Sequence, residues 1–304
     1  METLFSRPGR FWRGNLHTHS TLSDGRRPPE EVCRFYQQAG YDFLALTEHF
    51  LERYGWPIVD TAPFRSQHFT TLIGAELHPA QDRMELGATW HLLAVGLPLD
   101  FAPSPLMETG PELAQRALTA GAYVAAAHPA WHAMTERDVE SLGPIHALEI
   151  FNASAGDDND CAESTYMLDL FLARGSRLTA CATDDAHFVL NTRARESGWV
   201  MVKSATLDPG SLLTALKAGD YYSSSGLEIH ELVVEPGRQL HLRCSPDNRV
   251  FLIGGPAKYQ TIGEQGITEA VFDLSAWTSP YARVVVRDDN GRKAWTNPLW
   301  FDEE

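Results

Sequence analysis

The sequence is poor in cysteine, in basic residues and in long apolar runs. Cys33, Cys161, Cys181 and Cys244 are widely spaced, with no CxxC pair. That argues against a thiolate zinc site and against a disulfide framework, and the four read as reduced, mostly buried thiols. Lys and Arg number 25 against 40 Asp and Glu, for a formal net charge of −15. No Lys/Arg cluster is present, so no nucleic-acid partner is expected. Acidity does not exclude a small phosphorylated ligand, because bound cations can reverse the local potential. No stretch approaches the roughly 20 apolar residues that span a bilayer, and the first fifteen residues lack the apolar run of a signal peptide. A cytoplasmic protein without a membrane partner is therefore expected.

What is present is an ordinary globular composition, 43% hydrophobic and 21% charged over 304 residues. That length suits one large domain, or one large and one small. Up to about residue 225, short apolar runs alternate with amphipathic stretches. GNLHTHS reads as the end of a first strand. Pro28 and Pro29 suit a helix start, with Val32, Phe35, Tyr36 and Ala39 at helical spacing and Gly40 at its end. YDFLALTEH and LIGAELH read as strands. WHLLAVGL follows too soon for a helical crossover, which makes residues 79–89 a loop or hairpin. PELAQRALTAG reads as helix, AYVAAAHPAW and HALEIFN as strands, CAESTYMLDLFLARG as helix and LTACATDDAH as strand. GWVMVKS is a further strand, and DPGSLLTALKAG a helix ending at Gly219. Repeated strand–helix units predict an α/β fold with a largely parallel sheet. After YYSSSG the pattern changes to short β-like runs, broken by Gly, Pro and Asn-Gly. Residues 227–304 are thus expected to form a small antiparallel β-sandwich of the immunoglobulin-like kind.

Most metal-capable side chains sit at the carboxyl ends of the predicted strands. His17 and His19 form an HxH pair, followed by Asp24 in SDG. His49 ends the second strand and Glu76 the third; His91 opens WHLLAVGL; His128 ends AAAHP; Asp185 and His187 form a DxH pair. In a parallel α/β barrel these ends share one face, where active sites are built. Residues two apart on a strand point the same way, so both members of each pair can face one centre. A buried cluster of this composition would be costly without cations to offset it.

In combination, HxH with a following SDG, a TxH strand, an isolated Glu, an HP strand and a DxH strand resemble the PHP (polymerase and histidinol phosphatase) superfamily, over about residues 12–226. The resemblance implies that residues 1–226 form a distorted (β/α)7 TIM-like barrel holding two or three divalent ions of Mn, Zn or Fe. It implies one metal on His17, His19, Glu76 and Asp185. Glu76 would bridge to a second, also on His128 and His91, with His78 as the alternative to His91. Asp24, His49 and His187 would hold a third, or take part in catalysis directly. The family's Thr-Asp-His is here Thr47-Glu48-His49. From DAH through GW, LKAG and YYSSSG to RKAWTNP, the chain also looks like the PHP branch that includes carbaryl hydrolase-like enzymes.

The function this implies is hydrolysis of a small-molecule phosphate ester through a metal-bridged hydroxide. The alternatives are hydrolysis of a carboxyl or carbamate ester at the same site, and a metal-binding interaction module without catalysis. His132 and Asn152 follow metal-bearing strand ends and are candidate substrate contacts. So are Arg193 and Arg195, whose guanidinium groups suit an anion. The sequence leaves the oligomeric state open.

Overall fold

The computed structural model describes residues 1, 3–190, 192 and 194–301. Arg193, a candidate anion contact, lies outside the described residues. The first part of the chain supplies strands β1 (Arg10–Asn15), β2 (Phe43–Leu46), β3 (His49–Phe50), β4 (Thr70–Leu77), β5 (Leu92–Val95), β6 (Tyr123–Ala126), β7 (Ala147–Asn152), β8 (Thr179–Thr183), β9 (Trp199–Ser204) and β10 (Tyr221–Ser224). The helices are α1 (Pro29–Gln38), α2 (Gly110–Thr119), α3 (Glu136–Ser141), α4 (Ala153–Asn159), α5 (Thr165–Ala173) and α6 (Pro209–Ala218). α1 begins at the predicted proline, and α6 ends on Gly219 at φ 77°, a left-handed cap that glycine adopts without strain.

The sheet runs β10-β9-β1-β2-β4-β5-β6-β7-β8. β1, β2 and β4 are parallel, as are β6, β7 and β8. β5 is antiparallel to both neighbours, as the short 79–89 connection requires. β9 joins β1 antiparallel, and β10 joins β9 the same way. The result is a mixed α/β fold richer in sheet than the regular strand–helix alternation expected. Alternate side chains of the curved sheet meet in one cluster: Phe43, Ala45, Leu72, Leu93, Val95, Tyr123, Ala125, Ala147, Cys181 and Val200 are all buried together. Their other neighbours, such as Leu44, Leu92, Ala94, Val124 and Ala180, pack outward against helices and loops. Period-two alternation with both faces buried explains why these strands read as continuous apolar runs.

The remaining strands are β11 (Ile229–Glu235), β12 (Gln239–Ile253), β13 (Tyr259–Asp273), β14 (Tyr281–Arg287), β15 (Lys293–Thr296) and β16 (Leu299–Trp300). All their pairings are antiparallel. β12 carries register shifts after Arg243; its first half pairs β11 and its second half β14, while β13 follows it throughout. Leu232, Leu242, Val250, Phe272 and Val284 form the core between these strands. This region is not a separate sheet: β15 hydrogen-bonds β10, with Trp295 opposite Ser223. Arg283 on β14 adds a bidentate ion pair to Asp169 on α5, at 2.7 and 2.6 Å. No helix among the described residues is long and apolar enough to cross a membrane.

Candidate metal centre

The HTH and DAH segments lie side by side just beyond β1 and β8. The N–H of Asp185 donates to the His17 carbonyl at 2.9 Å, and that of His19 to the Ala186 carbonyl at 3.0 Å. Thr18, between the two histidines, points the other way; its hydroxyl donates to the Ala186 carbonyl. The alternation leaves His17, His19 and Asp185 on one side. His17 Nε2 and His19 Nε2 lie 3.3 and 3.0 Å from the same oxygen, Asp185 Oδ1. Asp24 follows in a tight turn closed by Gly25 N–H to the Ser20 carbonyl. A Cβ on Gly25 would sit 2.6 Å from the His19 carbonyl oxygen, so the glycine of SDG is required there.

Glu76, near the end of β4, is the centre of the cluster. His49 on β3 stands opposite it in register, with Nδ1 2.6 Å from Oε2. His91 Nδ1 and His128 Nε2 approach Oε1 at 2.6 and 3.2 Å. The outer rim is Asp24, whose carboxylate lies 3.4 Å from His49 Nε2 and 3.3 Å from His187 Nε2. His128 and Asp185 hold positive φ, 29° and 52°. Backbone held there costs on the order of 1 kcal/mol or more per residue, and such strain concentrates at functional sites.

All nine predicted ligands are brought together. Their donor atoms fall into overlapping groups within 4.8 Å that could hold metal ions: His19, Asp24, His49 and His187; His17, His19 and Glu76; His17, His128 and Asp185; His49, Glu76, His78 and His91. His78 and His91 are therefore not exclusive alternatives. His78 Nδ1 faces the Trp90 carbonyl at 2.8 Å, which directs Nε2 to His49 and Glu76. A further group joins His91, His128 and His132.

The donors fit divalent cations on their own chemistry. His17 Nε2, His19 Nε2, Asp24 Oδ1, Glu76 Oε2 and Asp185 Oδ1 are buried and make no hydrogen bond of proper geometry, although they crowd against one another and against His49 and His187. Five converging polar atoms so placed are costly unless a cation meets them. Burial alone would raise the Glu76 carboxyl, but His91, His49 and His17 outweigh it and hold it well below the usual range. Asp185 is held low in the same way by His17, His19 and His187. Burial, with His187 and His49 nearby, pushes His19 down to about 3, the neutral form that coordinates metal.

A cavity of about 370 Å³ opens onto this cluster, lined also by Arg26, Trp131, His132, Ser154 and Asp158. His132 is thus at the cavity, as expected. Asn152 is not in its lining: its Nδ2 donates to Glu149 and to Asp185 Oδ2, at 2.9 and 3.1 Å, so it fixes carboxylates from behind. Arg195 is not in the lining either; it donates to the Thr192 carbonyl. Glu48 turns away from the cluster and accepts from Ser20 and Ser23, holding the loop that carries Asp24. His230 and His241 face Glu228 and Glu269, outside every such group among the described residues.

Sequence reasoning missed Glu149, fully buried on β7. It accepts from His17 Nδ1 at 2.8 Å, from the His128 N–H at 2.7 Å and from Thr183 at 2.5 Å. A carboxylate inside HALEIFN, where apolar residues should follow one another, was the available signal. Arg26, next to SDG, was also passed over.

Nearly the whole chain aligns with a solved structure, that of a two-domain protein from Bacteroides vulgatus described as containing a predicted PHP-like metal-dependent phosphoesterase. The alignment covers 96% of this chain and 97% of that one, with a TM-score of 0.54 and 15% identity. This chain shares that protein's fold. A candidate metal-dependent phosphoesterase from Bifidobacterium adolescentis aligns over 57% of this chain and 87% of its own, at TM-score 0.38 and 13% identity. An amidohydrolase from Chromobacterium violaceum, solved with sulfate and no metal, aligns over the same shares at TM-score 0.44 and 16% identity. No protein-family profile matches the sequence, and no curated protein does.

Proposed function

We propose that the chain is a PHP-type metal-dependent hydrolase that cleaves phosphate esters of small molecules. On this reading the curved sheet is the distorted (β/α)7 barrel of that superfamily, closed where Thr18 bridges Ala186. Residues 227–304 are its immunoglobulin-like β-sandwich, packed against it. The observation that carries the proposal is the convergence of nine His, Asp and Glu side chains, seven of them lining one cavity, with five buried atoms that make no hydrogen bond. The description of the Bacteroides vulgatus protein, whose fold the chain shares, points the same way.

His17, His19, Glu76 and Asp185 would hold one ion. Glu76, His91 and His128 would hold a second, and Asp24, His49 and His187 a third. The mixed imidazole and carboxylate set suits Mn, Fe or Zn. Divalent ions there supply Lewis acidity and bring a water towards ionisation at neutral pH. Glu149, Asn152 and Thr183 keep His17 and Asp185 in place, so the donors need no rearrangement when the substrate arrives. Arg26 and His132 line the cavity mouth, where they can orient the anionic ester. Burial lowers the pKa of His187, but Asp24 and Asp185 outweigh it and raise it to about 9. Its Nδ1–H is directed at the Asp185 carbonyl, leaving Nε2 beside Asp24 to hold the third ion or, with only two ions bound, to be the proton source for the leaving oxygen.

The test is turnover by protein loaded with Mn or Zn and checked for metal content. p-Nitrophenyl phosphate or its bis ester should be cleaved, with loss of activity on chelation. Cleavage of p-nitrophenyl acetate alone would replace the phosphoesterase reading with a carboxyl-ester one. Inertness towards all three, with metal present, would refute a hydrolase.

A further inference from the structure

A second cavity, of about 490 Å³, opens beside the first. His49 and His91 line both, so the metal-binding cluster stands at the seam between them. Leu51, Trp56 and Pro79 give the second cavity apolar walls, and Arg53 and Arg83 bring two guanidinium groups to it against the single carboxylate of Glu52. The Trp56 ring is fixed edge-on to buried Phe50, with centroids 5.2 Å apart.

The charge here is against the trend of a molecule with net charge −15. Neither guanidinium has an ion-pair partner among the described residues. Arg53 lies over the Tyr54 ring at 4.6 Å, and Arg83 donates to the carbonyl of Asp82. The Asp82 carboxylate, next in sequence to Arg83, is already committed: it accepts from Trp90 Nε1 at 2.8 Å and from the Gly110 N–H at 2.9 Å. Those bonds also anchor the 79–89 hairpin, as does Glu85 N–H to Asp138 at 2.9 Å, so Arg83 is carried by a pinned loop. Two arginines outside any ion pair, outnumbering the one carboxylate of the lining and one step from the reacting centre, suit a ligand with a ring or chain against Trp56 and a negative group beyond it.

We propose that the second cavity receives the part of the substrate beyond the reacting group. That part is an apolar or aromatic unit bearing an anion of its own, a carboxylate or a phosphate. The inference rests on the ester-hydrolase reading for the reacting group, but it concerns binding and can be tested without turnover. The probes are non-hydrolysable phosphonates: 4-methylbenzylphosphonate, its 4-carboxymethyl analogue and its 4-phosphonomethyl analogue. They differ only in the far group, and calorimetric titration of the Mn-loaded protein measures each affinity. At least one of the two anionic analogues should bind about 10-fold more tightly than the methyl compound, and which one does so identifies the anion. In the Arg53→Ala/Arg83→Ala protein that advantage should vanish. Both side chains are exposed, so the fold should hold, and an unchanged thermal midpoint checks it. Equal affinities in the wild-type protein, or an advantage that survives the double substitution, would overturn the proposal. If the advantage is present and arginine-dependent while phosphate esters are inert, it is the phosphoesterase reading that fails and the cavity assignment that stands.

Discussion

Glu149 joins two of the metal-capable histidines through one carboxylate: Oε1 accepts from His17 Nδ1 and Oε2 from the backbone N–H of His128. Fixing Nδ1–H of His17 directs its Nε2 into the cluster and sets the tautomer that can coordinate. Glu149→Gln preserves shape but weakens the acceptor. The expected outcome is a loss of metal affinity of about 10- to 100-fold, with the fold retained. Competition with a chelating dye measures it, and unchanged affinity would remove Glu149 from the metal site.

Glu76 is approached by His49, His91 and His128, at 2.6, 2.6 and 3.2 Å. Glu76→Gln removes the charge that would offset repulsion between neighbouring cations. We expect one metal fewer per chain by elemental analysis and a rate at least roughly 100-fold lower. Full metal content with near-normal turnover would show that this carboxylate bridges nothing.

Metal binding should also stabilise the protein, because the unpaired donors are assembled only in the folded chain. At metal concentrations 100 times the dissociation constant, the gain is about 2.7 kcal/mol for one site. The thermal midpoint should rise on adding Mn or Zn and fall on chelation. A midpoint indifferent to both would contradict a preassembled site.

The thiols make a separate prediction. Burial pushes Cys33 up to about 12 and raises Cys181 as well, while Cys161 is partly exposed. The thiolate is the reactive form. At pH 8 a disulfide reagent should label Cys161 rapidly and the buried cysteines only on unfolding. The sign of the linkage follows: above about pH 9 the unfolded chain loses thiol protons that the folded chain keeps, so stability should fall as pH rises further.

Asp169 neutralises Arg283, which is almost wholly buried between β14 and α5. Asp169→Ala strands that guanidinium, and the expected loss is about 3 kcal/mol in denaturant unfolding. Replacing both partners with apolar residues should recover much of it.

The clustering of the candidate ligands was legible because it depends on local rules. Residues two apart on a strand face one way, and strands that run parallel bring their carboxyl ends to one rim; His17, His19, Asp185 and His187 needed no more than that. The antiparallel turn into β5 was legible from the short distance between His78 and His91. Lateral pairing was not. Nothing in GWVMVKS says that Trp199–Ser204 will pair with β1, because partners distant in sequence leave no periodic trace. Asn152 and Arg195 stay out of the cavity lining for a related reason: nearness to a motif does not give a side chain's direction, and each is instead hydrogen-bonded to a residue of the lining, Asp185 and Thr192. Glu149 escaped notice because a buried carboxylate in an apolar strand is understood only once the imidazole it holds is known.

The pairing of β10 with β15 bears on how the polypeptide matures. Ser223 and Ser224 leave the ribosome some seventy residues ahead of the strand that covers their edge. At about 5–20 residues per second, that edge stays bare for several seconds of synthesis. Throughout that interval it offers a template to any other nascent strand. A chain interrupted before Lys293 would keep every candidate metal ligand and still lack the strand that seals the sheet beside them, so it is aggregation, not lost chemistry, that should mark such a product.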